Sequence, residues 1–149
     1  MMVSSSALAY IPPEAIRTTD RDSIINTKTD TIRDVSEKTK DDIYRRDGTP
    51  GGNFTGKCLN QTPPMPGKKK RGCEVDHRIS LQLGGSNAEV NLMLQPYFGP
   101  CNADHKDRLE TRLHWLIKKN KIGVPEAQEL IYNNWEEGYN KFINPKGCR

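Results

Sequence analysis

From Val75 to Leu83 the apolar residues Val75, Ile79, Leu81 and Leu83 fall two or four positions apart, the spacing that puts side chains on one face of a β-strand. The Gly84-Gly85 pair that follows has the turn chemistry to fold such a strand back. Leu92-Met93-Leu94 then reads as a short second strand, closed by Pro96. The period changes after that. A helix is predicted from Cys101 or Asn102, with Leu109, Leu113, Leu116 and Ile117 on its apolar face, and Gly123 stops it. Val124-Pro125-Glu126 starts another helix, with proline in its first turn, that buries Leu130, Ile131, Trp135 and Phe142.

The N-terminal part carries a weaker pattern. Residues 1–29 show no sustained period and read as an extended arm or pro-segment. From Thr31 to Arg46, Ile32, Val35, Thr39 and Ile43 form a thin helical stripe that needs a neighbour to pack on, and the Asp47–Gly52 run ends it. Residues 60–72, with Pro63, Pro64, Pro66 and Gly67, read as a basic surface loop. The elements together predict an α+β chain, with residues 30–149 as one domain.

Composition narrows the class. A chain of 149 residues with 34% hydrophobic and 28% charged residues can build one modest core. It contains no apolar run near the ~20 residues of a membrane-spanning helix. The start, Met1 to Ala9, lacks a basic region and a true apolar stretch and makes a poor signal peptide. Net charge is only +4, but it is unevenly spread. Acidic residues are frequent from Asp20 to Asp47, whereas Lys57, Lys68, Lys69, Lys70, Arg71 and Arg78 crowd toward the first strand. That cluster suits a polyanion such as DNA or RNA better than an acidic small molecule. Cys58, Cys73, Cys101 and Cys148 form no C-x-x-C pair, which argues against a paired-cysteine zinc site. Two disulfides in any of three connectivities would imply an oxidising or secreted compartment.

The chemistry concentrates at Asp76-His77. A neutral imidazole can take a proton from water as it attacks phosphorus, and a carboxylate is the ligand that magnesium-like ions prefer. Adjacent strand residues point to opposite faces, so the two can share a site only at a strand edge or an irregular backbone. Glu74, on the face of Asp76, is a weaker second ligand candidate. At about 100° per residue, Asn102, His105, Lys106 and Leu109 share the buried face of the long helix, and Asp107 is rotated about 140° from Asn102. Asn102 or His105 is therefore favoured over Asp107 as a second metal ligand, although Asn102 is equally a good helix cap. Lys106 and Arg108 could contact phosphate at the helix start, or Lys106 could pair with Glu110 four residues on. His114 lies off the site face, and Trp115 and Trp135 read as packing residues.

The segments D-H-R-I-S-L-Q-L-G-G-S-N at 76–87, N-L at 91–92 and C-N-A-D-H-K-D-R-L-E at 101–110 resemble the HNH nuclease family. The resemblance spans roughly residues 73–116. It implies a ββα-metal (His-Me) finger core over about 73–122, with extra N-terminal and C-terminal helices. It also implies a metal-dependent endonuclease that cuts DNA to 5′-phosphate and 3′-hydroxyl ends. In that pattern His77 is the general base, and Asn91 fixes the site loop and the orientation of His77. Asp76, with Asn102 or His105, holds one divalent ion, magnesium or manganese. Lys68, Lys69, Lys70, Arg71, Arg78, Lys106 and Arg108 are the expected nucleic-acid contacts. Two other readings remain open. One is a non-catalytic nucleic-acid-binding module on the same scaffold, and the other is a secreted nuclease toxin acting on DNA or RNA.

Overall fold

In the computed structural model of the chain, residues 10–48, 58 and 72–149 are described. Their backbone is α+β. Helices α1 (Arg21–Asn26) and α2 (Glu37–Asp47) precede strands β1 (Cys73–His77) and β2 (Leu92–Pro96), and helices α3 (Ala103–Lys118) and α4 (Val124–Phe142) follow. β1 and β2 pair antiparallel, with Cys73 opposite Pro96, Asp76 opposite Met93 and His77 opposite Leu92. Side chains leave this two-stranded ribbon alternately. Cys73, Val75, Leu92 and Leu94 pack with Ile43 and Tyr44 of α2, while Met93 joins the core of α3 and α4.

β1 ends at His77, six residues before the Leu83 that the alternation suggested. The backbone reason is specific. The Arg78 amide still reaches Asn91 O at 2.7 Å, but the amide and carbonyl of Ile79 are then both taken by the Asn91 side chain. Leu81–Leu83 closes into a 3₁₀ turn, with Leu83 N and Gly85 N both donating to Ser80 O. Ile79, Leu81 and Leu83 are all buried, as the pattern required, but in a loop and a 3₁₀ turn where a continuing strand was expected. Nor does Gly84-Gly85 turn one strand into the other. Gly84 sits at φ +88°, and a Cβ there would meet Thr18 O at 2.4 Å. A Cβ on Gly85 would lie 1.8 Å from Ile79 O, so the chain passes too closely for any side chain.

What presses on Gly84 includes the segment expected to be an extended arm or pro-segment. Residues 10–29 instead pack along the loop, while residues 1–9 lie outside the described part. Ile16 forms a bridge with Gly85, Arg17 N and Thr18 N donate to Gly84 O, and Ala15 and Ile24 enter the main core. Asp20 caps α1 through Ser23 N. Arg21 donates to Ile117 O at 3.1 Å and Lys118 O at 2.7 Å, and so meets the negative end of α3. This stretch lacks a period because it is held by backbone bonds and by scattered single side chains, Ala15, Arg17, Arg21 and Ile24, that follow no repeat.

α2 begins at Glu37, later than the apolar stripe suggested, because Ser36 caps it and Thr29–Thr31 forms a separate 3₁₀ turn. Tyr44 of α2 donates to Cys73 O at 2.5 Å and ties the helix to β1. The two C-terminal helices follow the sequence closely. Asn102 caps α3, and α4 starts at Val124 with Pro125 in its first turn. Leu109, Leu113, Ile117, Ala127 and Ile131 form the seam between them. Leu130 and Phe142 are only partly buried against it. Of the three possible pairings, the disulfides are Cys58–Cys73 and Cys101–Cys148. One staples the start of β1 and the other the residue before the α3 cap. No helix among the described residues is long and apolar enough to cross a membrane.

Candidate functional site

β1 carries Asp76 and His77 at its last two positions, and the strand's alternation sends their side chains to opposite faces. His77 is 5% exposed, on the side away from α3. Its Nε2 lies 3.0 Å from Asn87 Oδ1. The orientation of that amide is fixed by its other end, since Asn87 Nδ2 donates to Ile32 O at 2.7 Å. An oxygen facing the ring makes Nε2 the protonated nitrogen and leaves the lone pair of a neutral His77 on Nδ1. Burial pushes the His77 pKa below its usual value, against the opposing pull of the Asn87 bond and the Asp76 carboxylate. Burial thereby favours the neutral form of the imidazole.

Asn91 does part of what the pattern implied. It is fully buried, accepts from Ile79 N at 2.8 Å, and donates to Ile79 O at 2.9 Å and Ser86 O at 2.8 Å. These bonds shape the loop after β1. The residue that orients His77, however, is Asn87, to which no role had been given. Asn87 stands inside the G-G-S-N segment, so the signal was its place in a quoted motif. Nothing local distinguishes it from ordinary turn chemistry.

On the other face, Asp76 meets α3. Its side chain is 18% exposed, and Oδ2 lies 3.1 Å from Lys106 Nζ. This is an ion pair without an aligned hydrogen bond, because Oδ2 is buried and lacks a hydrogen-bond partner. Lys106 is 0% exposed. Its ammonium donates to His77 O at 2.7 Å and to Glu110 Oε1 at 2.5 Å. Burial works against its charge, but Asp76 and Glu110 reverse that and raise its pKa. Glu110 is itself pushed up by burial, with Lys106 opposing. A group sealed in this way cannot touch a phosphate backbone, so Lys106 leaves the set of nucleic-acid contacts. Its pairing with Glu110, offered by the i, i+4 spacing, is an interior one.

Asn102 and His105 are bonded to each other. Asn102 Oδ1 accepts from Asp104 N at 2.9 Å and His105 N at 3.2 Å, and His105 Nδ1 accepts from Asn102 N at 3.1 Å. This reciprocal capping box uses the acceptor atoms that metal ligation would need. With Nδ1 accepting, a neutral His105 carries its proton on Nε2 and presents a donor there. Neither residue therefore fits as the second ligand while the cap is intact. Asp76 keeps some water-facing surface, with its Oδ2 turned to Lys106. Among the described residues, no three His, Cys, Asp or Glu side chains gather in a group able to hold a metal.

The other expected contacts are dispersed. Arg78 stacks 3.7 Å above the Tyr132 ring and donates to Tyr132 O at 3.0 Å, which ties the loop to α4. Arg108 is exposed, with NH1 3.3 Å from the Tyr139 hydroxyl. It lies two residues past Lys106, about 200° around the helix, and so faces away from Asp76. Lys68, Lys69, Lys70 and Arg71 lie outside the described residues. The chain matches no protein-family model, no curated protein and no solved structure.

Proposed function

We infer that this chain is a metal-dependent endonuclease of the HNH type, hydrolysing phosphodiester bonds of DNA. The observation that carries this reading is the setting of His77, a buried imidazole whose Nε2 is engaged by the Asn87 carbonyl and which follows a carboxylate at the end of β1. A histidine kept only for packing has no need of an oriented lone pair. The order of strand, pinned loop, strand and helix, with the dyad closing the first strand, is the arrangement expected of a ββα-metal finger.

In the reaction, Nδ1 of His77 takes the proton of a water molecule as that water attacks phosphorus. Asn87 stabilises the imidazolium so formed, because its carbonyl continues to accept from Nε2–H. Asn91 keeps the loop that carries Asn87 in shape. Asp76 and His77 leave opposite faces of β1, so they act on one phosphate only from the end of the strand, where the regular ladder stops; there Asp76 would hold the divalent ion, which when bound supplies positive charge to the phosphate and the departing 3′ oxygen. The two disulfides are compatible with an oxidising or secreted compartment, where a secreted nuclease toxin would use the same residues.

The test is cleavage of plasmid, linear duplex and RNA by purified protein, with magnesium or with chelator. Cleavage should require magnesium or manganese and stop on chelation. His77→Ala should lower the rate by about 10²–10⁴ with native circular dichroism. A His77→Ala protein that cuts within about threefold of wild type would remove His77 as the base.

A further inference from the structure

A buried ammonium is an unusual way to join a strand to a helix. Moving Lys106 out of water carries a large desolvation cost, and replacing such a cluster with apolar residues is often neutral or stabilising. Stability alone therefore does not explain why a lysine stands at a 0% exposed position. Its partners are more informative. All three directions of the ammonium are used, toward His77 O, Glu110 Oε1 and Asp76 Oδ2. Two of these three belong to consecutive residues, the pair assigned to the hydrolytic chemistry. Lys106 thus grips one residue of the dyad by its side chain and the other by its backbone. α3, anchored by its own capping box and by Cys101–Cys148, provides the fixed point.

We propose that Lys106 is a positioning residue of the hydrolytic site, its buried ammonium clamping Asp76 and the His77 backbone to Glu110 so that the two side chains of β1 keep one fixed relation. It touches neither water nor substrate and acts through Asp76 and His77. The role rests on the nuclease reading above. Because adjacent strand residues diverge, small rotations of the strand end would move the carboxylate and the imidazole in opposite directions. A misplacement of about 1 Å at such a site can cost ~10²-fold in rate.

The decisive variant is Lys106→Met combined with Glu110→Leu, which removes the buried Lys106–Glu110 pair while keeping the volume apolar and leaves Asp76, whose side chain is 18% exposed, in place. Steady-state hydrolysis of bis(p-nitrophenyl) phosphate isolates the chemistry from nucleic-acid binding. The double variant should keep a native circular dichroism spectrum and a KM within about twofold, while kcat falls by about 10- to 100-fold. A natively folded double variant with kcat within about threefold of wild type overturns the proposal. Lys106→Ala offers a second route, with propylammonium or propanol added to refill the hole. Recovery of kcat with the amine and not the alcohol supports the clamp. Failure of both, in a folded protein, overturns it. His77→Ala assayed in parallel separates the two ideas. If His77→Ala is inactive and the double variant fully active, only the clamp fails; if His77→Ala is active, the nuclease reading itself fails.

Discussion

On one face of β1, His77 reaches neutral amides, and on the other, Asp76 reaches a buried ammonium. Asn87 and Asn91 use both ends of their amides, and every bond is to a ring nitrogen or the backbone. Lys106 and Glu110 are as deeply buried but charged, and Asp76 Oδ2 is left with an ion pair and no hydrogen bond. The two solutions cost different things. A buried neutral group must only find its partners, each worth about 1 kcal/mol net and about 1–3 if left unmet. A buried ion must also be desolvated, whether or not it is paired. The amide network can therefore be explained by the shape of the loop, whereas the ionic cluster asks for a reason beyond stability.

Removing one partner on each face should break the comparison most visibly. Lys106→Met alone strands two carboxylates and should destabilise by about 3–5 kcal/mol, with the combined Lys106→Met/Glu110→Leu protein recovering only part of that, since Asp76 Oδ2 and His77 O still lose their partner. Asn91→Leu should cost about 3 kcal/mol or more, because Ile79 N, Ile79 O and Ser86 O lose their partner. No single apolar change elsewhere should restore it. Urea midpoints for the four proteins test this, and an Asn91→Leu protein as stable as wild type would show that the loop is held by packing alone.

A smaller effect sharpens the assignment of α3. Asn102→Ala should cost about 1 kcal/mol as a lost cap, and Asn102→Ser should restore it. Both should leave the magnesium dependence of cleavage unchanged. A rise in the magnesium requirement with either would return Asn102 to the ligand set.

The two faces should also tilt in opposite directions with pH, and this is the smallest effect. His77 and His114 are held below their usual pKa, chiefly by burial. Below about pH 6.5 the unfolded chain thus binds protons that the folded chain refuses, and stability falls as pH drops. Glu110 is raised by burial, so the folded chain keeps a proton that the unfolded chain releases, and its contribution grows as pH drops. Glu110→Gln should therefore lose stability more steeply than wild type between about pH 6.5 and 4.5. Equal slopes in chemical denaturation at the two pH values would show that Glu110 stays ionised in the fold.

The sequence by itself determined the α+β order, the helices α3 and α4, the second strand and the buried positions of Ile79, Leu81 and Leu83, because periodicity and caps are local properties of the chain. It also marked Asp76, His77 and Asn91 through their place in a motif. Tertiary structure decided the rest. Whether an alternating run becomes strand or pinned loop depended on Asn91 capturing Ile79 from twelve residues away. The segment around Ile16 found its place through backbone bonds that no side-chain pattern records. Helical phase put Lys106 on the buried face but could not say that an ammonium would be met there by Asp76 and Glu110. A lysine near a helix start reads as a surface charge until the elements that seal it are in place, since burial and charge pairing belong to the assembled fold.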